Sequence, residues 1–317
     1  MIVTLTANPS LDRTITLEGA LRPGEVQSAI SVREDAGGKG INVARALKRL
    51  DSPVIATGLA GGTTGDRIID ELAGEAILND FVRIGDESRT STAVVDPTAS
   101  SYTEINEWGP KVTTDELEML LEKLHYLSRG ADAVVFAGAL PRGVGEDFYA
   151  EAVRDLNRQG VQVVLDSEGQ PLRLGIEAEP WLVSPNQREA EHVVGQELED
   201  EEDFLMALDA IAELGARNVH ITLESGCYAL FREDRQVKRY KALAPSIEAV
   251  SVVGAGDVLL AQFIAAQLTG KSGEDALRLA VAAGAASTLE VGAGRFDPRD
   301  AGRLVAGIEL AELAPVA

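Results

Sequence analysis

Residues 254–257 read Gly-Ala-Gly-Asp, and a long apolar stretch begins directly after them. A glycine turn running into a helix puts bare backbone N–H groups and one carboxylate, Asp257, at the helix's positive end. Amides and dipole there attract phosphate. A carboxylate at the same spot would be repelled by that phosphate unless it had a task. The obvious task is to take a proton from a hydroxyl as the hydroxyl attacks phosphorus. The structural alternative is a glycine turn capped by Asp257, since Asp is common at helix starts.

Other segments carry residues of matching chemistry. Residues 37–42, Gly-Gly-Lys-Gly-Ile-Asn, surround Lys39 with glycines at an expected helix start. This is no Walker A loop: Arg33 stands where the first glycine should be and Gly40 where Ser or Thr should follow the lysine. Its glycines still let the backbone approach a sugar closely, and Lys39 offers a cation to phosphate; a flexible hinge with a solvated lysine is the alternative. Asp12 can bind sugar hydroxyls or cap a turn. Arg89 can hold a phosphate bidentately or stand free on the surface. Asn186 and Glu189, three apart, read as an N-cap with its capping-box partner. They read equally as a Mg²⁺ and phosphate site acting through ordered waters, because Mg²⁺ keeps much of its hydration shell. The glycines of 58–65 lack dinucleotide-binding spacing, and the three histidines lack metal-ligand spacing, which argues against dehydrogenase and metallohydrolase readings.

Positioning such residues takes a scaffold, and the hydrophobic pattern supplies one. Residues 3–7, 54–57, 133–137, 161–166, 181–183 and 219–223 read as strands. They alternate with expected helices near 41–50, 66–73, 146–158, 187–194 and 201–214, and with one opened by a capping box at residues 113–116. A hairpin over 227–231 and 236–240 follows, then helices near 257–269, 273–290 and 298–311. The alternation predicts one α/β domain over residues 1–317, with a doubly wound, mostly parallel sheet between two helix layers. Two early β pairs, about 12–36 and 88–108, break the pattern. They read as a small β lid over the carboxyl ends of the main strands, where such folds bind ligands.

Composition narrows the partners. The net charge of −22 over 317 residues argues against nucleic acid and anionic membranes. Any phosphate site must therefore be locally positive. One cysteine, Cys227, rules out an internal disulfide. The start of the sequence does not read as a secretory signal, so a cytoplasmic protein is expected.

In order and spacing these pieces resemble the PfkB, or ribokinase-like, carbohydrate kinase family along essentially the whole chain. Within it they resemble the branch that holds 1-phosphofructokinase and tagatose-6-phosphate kinase. The matching stretches are residues 6–12 (Thr-Ala-Asn-Pro-Ser-Leu-Asp), 37–45, Arg89, 103–107, 138–141 (Gly-Ala-Leu-Pro), 186–189 and 254–257. The resemblance implies that Asp257 is the general base and that the amides of Ala255, Gly256 and Asp257, after the turn at Gly254, form an anion hole. It gives Asp12, Gly38 and Asn42 to the sugar and Lys39 and Arg89 to its existing phosphate. Asn186, Glu189, Thr222 and Gly226 would serve Mg-ATP, with Glu189 reaching Mg²⁺ through water. It also implies a homodimer paired through the lid.

Departures from the family pattern gather on the nucleotide side. Ser184 stands where a lysine usually precedes Pro-Asn, and Glu224 interrupts the usual glycine pattern ahead of Gly226 and Cys227. Val252, Val258 and Gln262 replace a Thr, a small residue and a Gly. The expected reaction is Mg-ATP-dependent phosphorylation of fructose 1-phosphate. Tagatose 6-phosphate and fructose 6-phosphate are the alternatives, and a non-catalytic sugar-phosphate sensor is the rival from another class.

Overall fold

The computed structural model describes residues 1–99, 101–233 and 236–315. The strands are β1 (Ile2–Thr6), β2 (Ser10–Leu17), β3 (Ala29–Gly37), β4 (Val54–Gly61), β5 (Leu78–Asn79), β6 (Val82–Ile84), β7 (Arg89–Asp96), β8 (Ser101–Asn106), β9 (Ala133–Ala137), β10 (Gln162–Asp166), β11 (Leu182–Val183), β12 (Asn218–Leu223), β13 (Gly226–Glu233), β14 (Gln236–Leu243) and β15 (Glu309–Leu313). The helices are α1 (Lys39–Arg49), α2 (Gly62–Gly74), α3 (Thr114–Ser128), α4 (Phe148–Arg158), α5 (Gly169–Ile176), α6 (Gln187–Val194), α7 (Glu201–Leu214), α8 (Ala255–Leu268), α9 (Gly273–Ser287) and α10 (Pro298–Leu304).

The main sheet runs β15-β14-β13-β12-β11-β10-β9-β1-β4-β5, with β6 also on β4. Every pairing from β12 across to β5 is parallel, and β12 to β15 is antiparallel. A parallel strand covered on both faces needs apolar residues at consecutive positions, and β9 shows this. Val134 and Phe136 enter one core with α3 to α7, while Val135 and Ala137 enter the other with α1, α2, α8, α9 and α10. The expected α/β class with a mostly parallel sheet, two helix layers and a small separate sheet is what forms.

The second sheet runs β3-β2-β7-β8. Its register sets Ser10 opposite both Gly37 and Arg89, and Asp12 opposite Asp35 and Ser91. The lid therefore starts where the first core strand ends, and brings three separate chain segments to one edge of the cleft.

Two local expectations fail. The C-terminal helix over 298–311 stops at Leu304, and after a short 3-10 turn the chain pairs Glu309–Leu313 against β14. Helical spacing is present in that stretch, but β14 would otherwise be a bare sheet edge, and capping it satisfies backbone groups. Helix α5 was not expected; its eight residues follow β10 too closely for their period to stand out. No helix among the described residues is long and apolar enough to cross a membrane.

One buried group runs against folding. His220, in β12, is 0 % exposed, and neither ring nitrogen has a hydrogen-bond partner among the described residues. It lies edge-on to Phe263 at 4.3 Å and to Phe231 at 5.6 Å. Burial pushes its pKa down to about 3. We expect His220→Leu to stabilise the fold by about 1 kcal/mol, because an orphaned buried polar group costs roughly that much or more. The histidine's folded pKa is depressed, so only the unfolded state takes up its proton as pH falls below about 6.5. The stability advantage of the variant should therefore widen from pH 7 to pH 5. Calorimetry showing a gap that is constant or narrows would refute this.

Candidate active site

Helix α8 begins with Gly254 at φ 80°, left-handed backbone that favours glycine. A Cβ there would also come within 2.8 Å of the Ala293 side chain. Gly254 is the N-cap and no side chain caps this helix, so Asp257 lies inside the first turn and the capping alternative is excluded. The Ala255 amide donates to Val252 O at 3.3 Å. Among the described residues, the amides of Gly256 and Asp257 have no protein acceptor. Gly256 is exposed to the cleft. The anion hole expected from three amides is thus two free ones, with Ala255 engaged in closing the turn.

Asp257 is 6 % exposed at the mouth of a helix buried on nearly all sides. Burial pushes its pKa well above the ordinary carboxylate range, the negative charge of Asp166 adds to the rise, and Lys39 and the Asn42 bond oppose it. The bond comes from Asn42 Nδ2, which donates to Asp257 Oδ2 at 2.8 Å. Asn42 is one turn into α1, whose N-cap is Gly38 at φ 116°. A Cβ on Gly38 would meet Thr6 at 2.6 Å, so only glycine lets α1 start this close to the end of β1.

Lys39 opens α1 at its positive end, an unfavourable place for a cation. Carboxylates compensate: Lys39 Nζ donates to Asp166 Oδ1 at 2.7 Å and to Glu189 Oε1 at 3.1 Å. Burial works against the ammonium charge, but these anions outweigh it and raise its pKa. The Lys39 side chain keeps 34 % exposure toward the cleft. Glu189 does two jobs at once. Its Oε2 accepts from the Asn186 amide at 2.8 Å while Asn186 Oδ1 accepts from the Glu189 amide at 3.0 Å, closing the capping box. Its other oxygen faces Lys39, so the capping and site readings hold together.

Toward the lid, Asp12 Oδ1 accepts from Ser10 Oγ at 2.6 Å. Burial raises the Asp12 pKa, against the effect of Ser10 and Arg89. Arg89 Nε donates to Asn8 O at 3.3 Å, which directs the guanidinium along the lid base. Ser91, Glu104 and Asn106 join them on the lid wall. At the opposite end, Thr222 bridges to Asn186 across the β11–β12 edge. Gly226 packs where a Cβ would strike Ala242 O at 2.0 Å, so it has a purely steric reason to be glycine. Of the departures, Ser184, Glu224 and Val252 line the cleft, whereas Cys227 and Val258 are buried in the core.

One cleft of about 1370 Å³ contains Asp12, Gly38, Lys39, Asn42, Arg89, Asn186, Glu189, Thr222, Gly226 and Gly254 through Asp257. Every sequence-derived site residue is therefore on its wall. Near Asp257 the cleft brings together a buried carboxylate, two free amides and the Lys39 ammonium. Sequence reasoning missed Asp166. Its only signal was an aspartate closing an apolar strand at the carboxyl edge of the sheet, where ligands bind. It also missed Arg45, which sits behind Asn42.

Among the described residues no group of three His, Cys, Asp or Glu is placed to cage a metal. Asp166 and Glu189 nevertheless line the cleft, each with one oxygen on Lys39, and one or two carboxylates acting through waters, plus substrate phosphates, are what Mg²⁺ requires. The residues fit such an ion.

The model of the pfkB family of carbohydrate kinases matches residues 6–300. A 1-phosphofructokinase of Borreliella burgdorferi is 34% identical over 290 residues, covering 92% of each chain. Phosphofructokinase-2 of Escherichia coli, solved with substrates and products, superposes with a TM-score of 0.89 at 29% identity, covering 96% of this chain and 98% of that one. A possible 1-phosphofructokinase of Thermotoga maritima gives 0.83 at 25% identity over 99% and 100%. With the glycine turn, its carboxylate and the lysine-bearing helix start all on one cleft, the chain belongs to the pfkB family of carbohydrate kinases.

Proposed function

We propose that the protein phosphorylates fructose 1-phosphate to fructose 1,6-bisphosphate with Mg-ATP as donor. The observation that carries the reading is the buried Asp257 carboxylate, set beside two unpaired helix amides on a cleft that also holds Arg89 and Lys39. The curated relative named 1-phosphofructokinase supports the choice of sugar phosphate.

In this reading Arg89 and Asp12 seat the sugar phosphate against the lid, and Arg89 supplies the cation its phosphate needs. The free primary hydroxyl then points at Asp257. Oδ2 is engaged by Asn42, so Oδ1 accepts the hydroxyl proton as the oxygen attacks the terminal phosphorus. The amides of Gly256 and Asp257 stabilise charge on the transferring phosphoryl oxygens, and Lys39, paired with Asp166 and Glu189, is assigned to that group instead of to the sugar's existing phosphate. Asp166 and Glu189 would hold Mg²⁺ through its waters, and the ion would neutralise charge on the nucleotide phosphates. Thr222, Gly226 and Asn186 line the nucleotide's end.

An ADP-release assay over fructose 1-phosphate, fructose 6-phosphate and tagatose 6-phosphate, with and without Mg²⁺, tests this. Highest kcat/KM for fructose 1-phosphate is expected; a preference for either 6-phosphate would replace the substrate, and turnover in chelator would remove the metal. We also propose a homodimer paired through the lid. Ile30 is 65% and Val32 49% exposed on β3, apolar surface that a second copy would cover. Light scattering giving only the 33.6 kDa monomer would refute it. The lone cysteine and the need for ATP fit a cytoplasmic reaction, which cell fractionation would check.

A further inference from the structure

The contact between Asn42 and Asp257 has a polarity that a carboxamide does not set by itself. Nδ2 carries two donors and Oδ1 only accepts, yet the two atoms are nearly equal in size. With Nδ2 toward Asp257, the bond favours the ionised carboxylate. With Oδ1 there, only the protonated acid could form it.

Arg45 lies on the other side of the same amide, its Nη1 3.4 Å from Asn42 Oδ1. Arginine donates and never accepts, so it admits one orientation. The guanidinium is itself locked. Arg45 is 4% exposed; its Nε donates to Glu75 Oε2 at 2.7 Å, Nη1 also to Ala293 O at 3.2 Å, and Nη2 to Ala36 O at 3.1 Å and Glu71 Oε1 at 3.4 Å. These partners come from α2 and its C-cap, from the lid strand β3 and from the loop after α9. Arg295 Nη2 braces Glu75 Oε1 at 2.8 Å from the far side. In the same loop, a Cβ on Gly294 would lie 2.5 Å from Asn42 O, so the chain presses directly on α1 at this residue.

We propose that Arg45 is a positioning residue for phosphoryl transfer: its guanidinium fixes the Asn42 amide so that Nδ2 donates to Asp257, keeping Oδ2 occupied and Oδ1 ready for the substrate hydroxyl. The proposal rests on the reading of Asp257 as the base. The other charged groups acting on Asp257 are Lys39 from α1, Asp166 from β10 and Glu189 from α6. Two are anions, so the Asn42 bond and Lys39 are what oppose the rise of the Asp257 pKa in a buried site.

Arg45→Lys tests this. A lysine keeps a cation for Glu71 and Glu75, but one ammonium cannot also span the Ala36 carbonyl and Asn42. Expected are a kcat about 10- to 100-fold lower, of the size seen when a catalytic group is misplaced, and a KM for the sugar phosphate within about threefold. The acid limb of the kcat/KM profile should move up by about one pH unit, since the carboxylate loses a stabilising donor. A purely structural role would lower stability without moving that limb, so a folded variant with an unshifted limb overturns the proposal. If Arg45→Lys does not fold, a neutron structure of the wild-type protein decides: the deuterium-bearing nitrogen of Asn42 toward Asp257 is expected, and toward Arg45 overturns it. Full turnover by Asp257→Asn would instead sink the base reading. An inactive Asp257→Asn beside an unshifted Arg45→Lys limb sinks the role of Arg45 alone.

Discussion

Asp257→Asn should lower kcat by about 10²- to 10⁴-fold, the usual cost of losing a positioned base, while sugar-phosphate binding survives. The variant keeps the shape of the side chain and an oxygen that can accept from Asn42. It also removes one negative charge from a buried cluster in which Asp166 and Glu189 already work against the Asp257 carboxylate. The thermal midpoint should therefore hold or rise, which separates lost chemistry from lost folding. In the wild-type enzyme the acid limb of kcat/KM should lie well above the ordinary aspartate range, since burial disfavours the ionised base. Rapid-quench measurement of the chemical step together with calorimetric titration of sugar phosphate checks both halves. Turnover within about tenfold of wild type would reassign the base.

Lys39→Met should be nearly as severe, for a different reason. The ammonium lies against Asp166 at 2.7 Å and Glu189 at 3.1 Å and also lowers the Asp257 pKa. Methionine fills the space but leaves Asp166, Glu189 and Asp257 without the ammonium that offsets their charge. Turnover is expected to fall by about 10³-fold, from lost stabilisation of the transferring group together with a base driven toward its protonated form. Stability should change with pH in a definite direction. Without Lys39 the folded-state pKa values of Asp257 and Glu189, already raised by burial, rise further above their unfolded values. Their favourable contribution is then fully present at low pH and lost as pH rises through the folded values. The deficit against wild type should thus be small near pH 5 and grow toward pH 8, as read by denaturant melts across that range. A deficit that shrinks toward alkaline pH would mean that Lys39 does not act through these anions.

Most of the architecture was legible along the chain because it rests on local pattern. Strands such as Ala133–Ala137 are short apolar runs closed by glycine, and helices such as Thr114–Ser128 announce themselves with a capping box. The end of the chain was not. Residues 309–313 have helix-compatible spacing, and only the exposed edge of β14, built from residues some seventy positions earlier, draws them into a strand. Within the site, glycine turns and motif spacing located Asp257, Lys39 and Glu189. Asp166 and Arg45 were given no role, since an aspartate closing an apolar strand is ordinary sequence and Arg45, the last residue of the matching stretch 37–45, looks like any arginine inside a helix.

What the sequence determined by itself is the set of chemical groups and the local backbone that bears them. A left-handed turn at 254 demands glycine, and a helix must follow it. What tertiary structure alone decided is how those groups act on one another. Asp257 and Asn42 are 215 positions apart, and Lys39 and Glu189 are 150 apart. Their ionisation depends on burial and on charges a few ångströms away, and such distances exist only once α1, α6, α8 and β10 converge on one cleft.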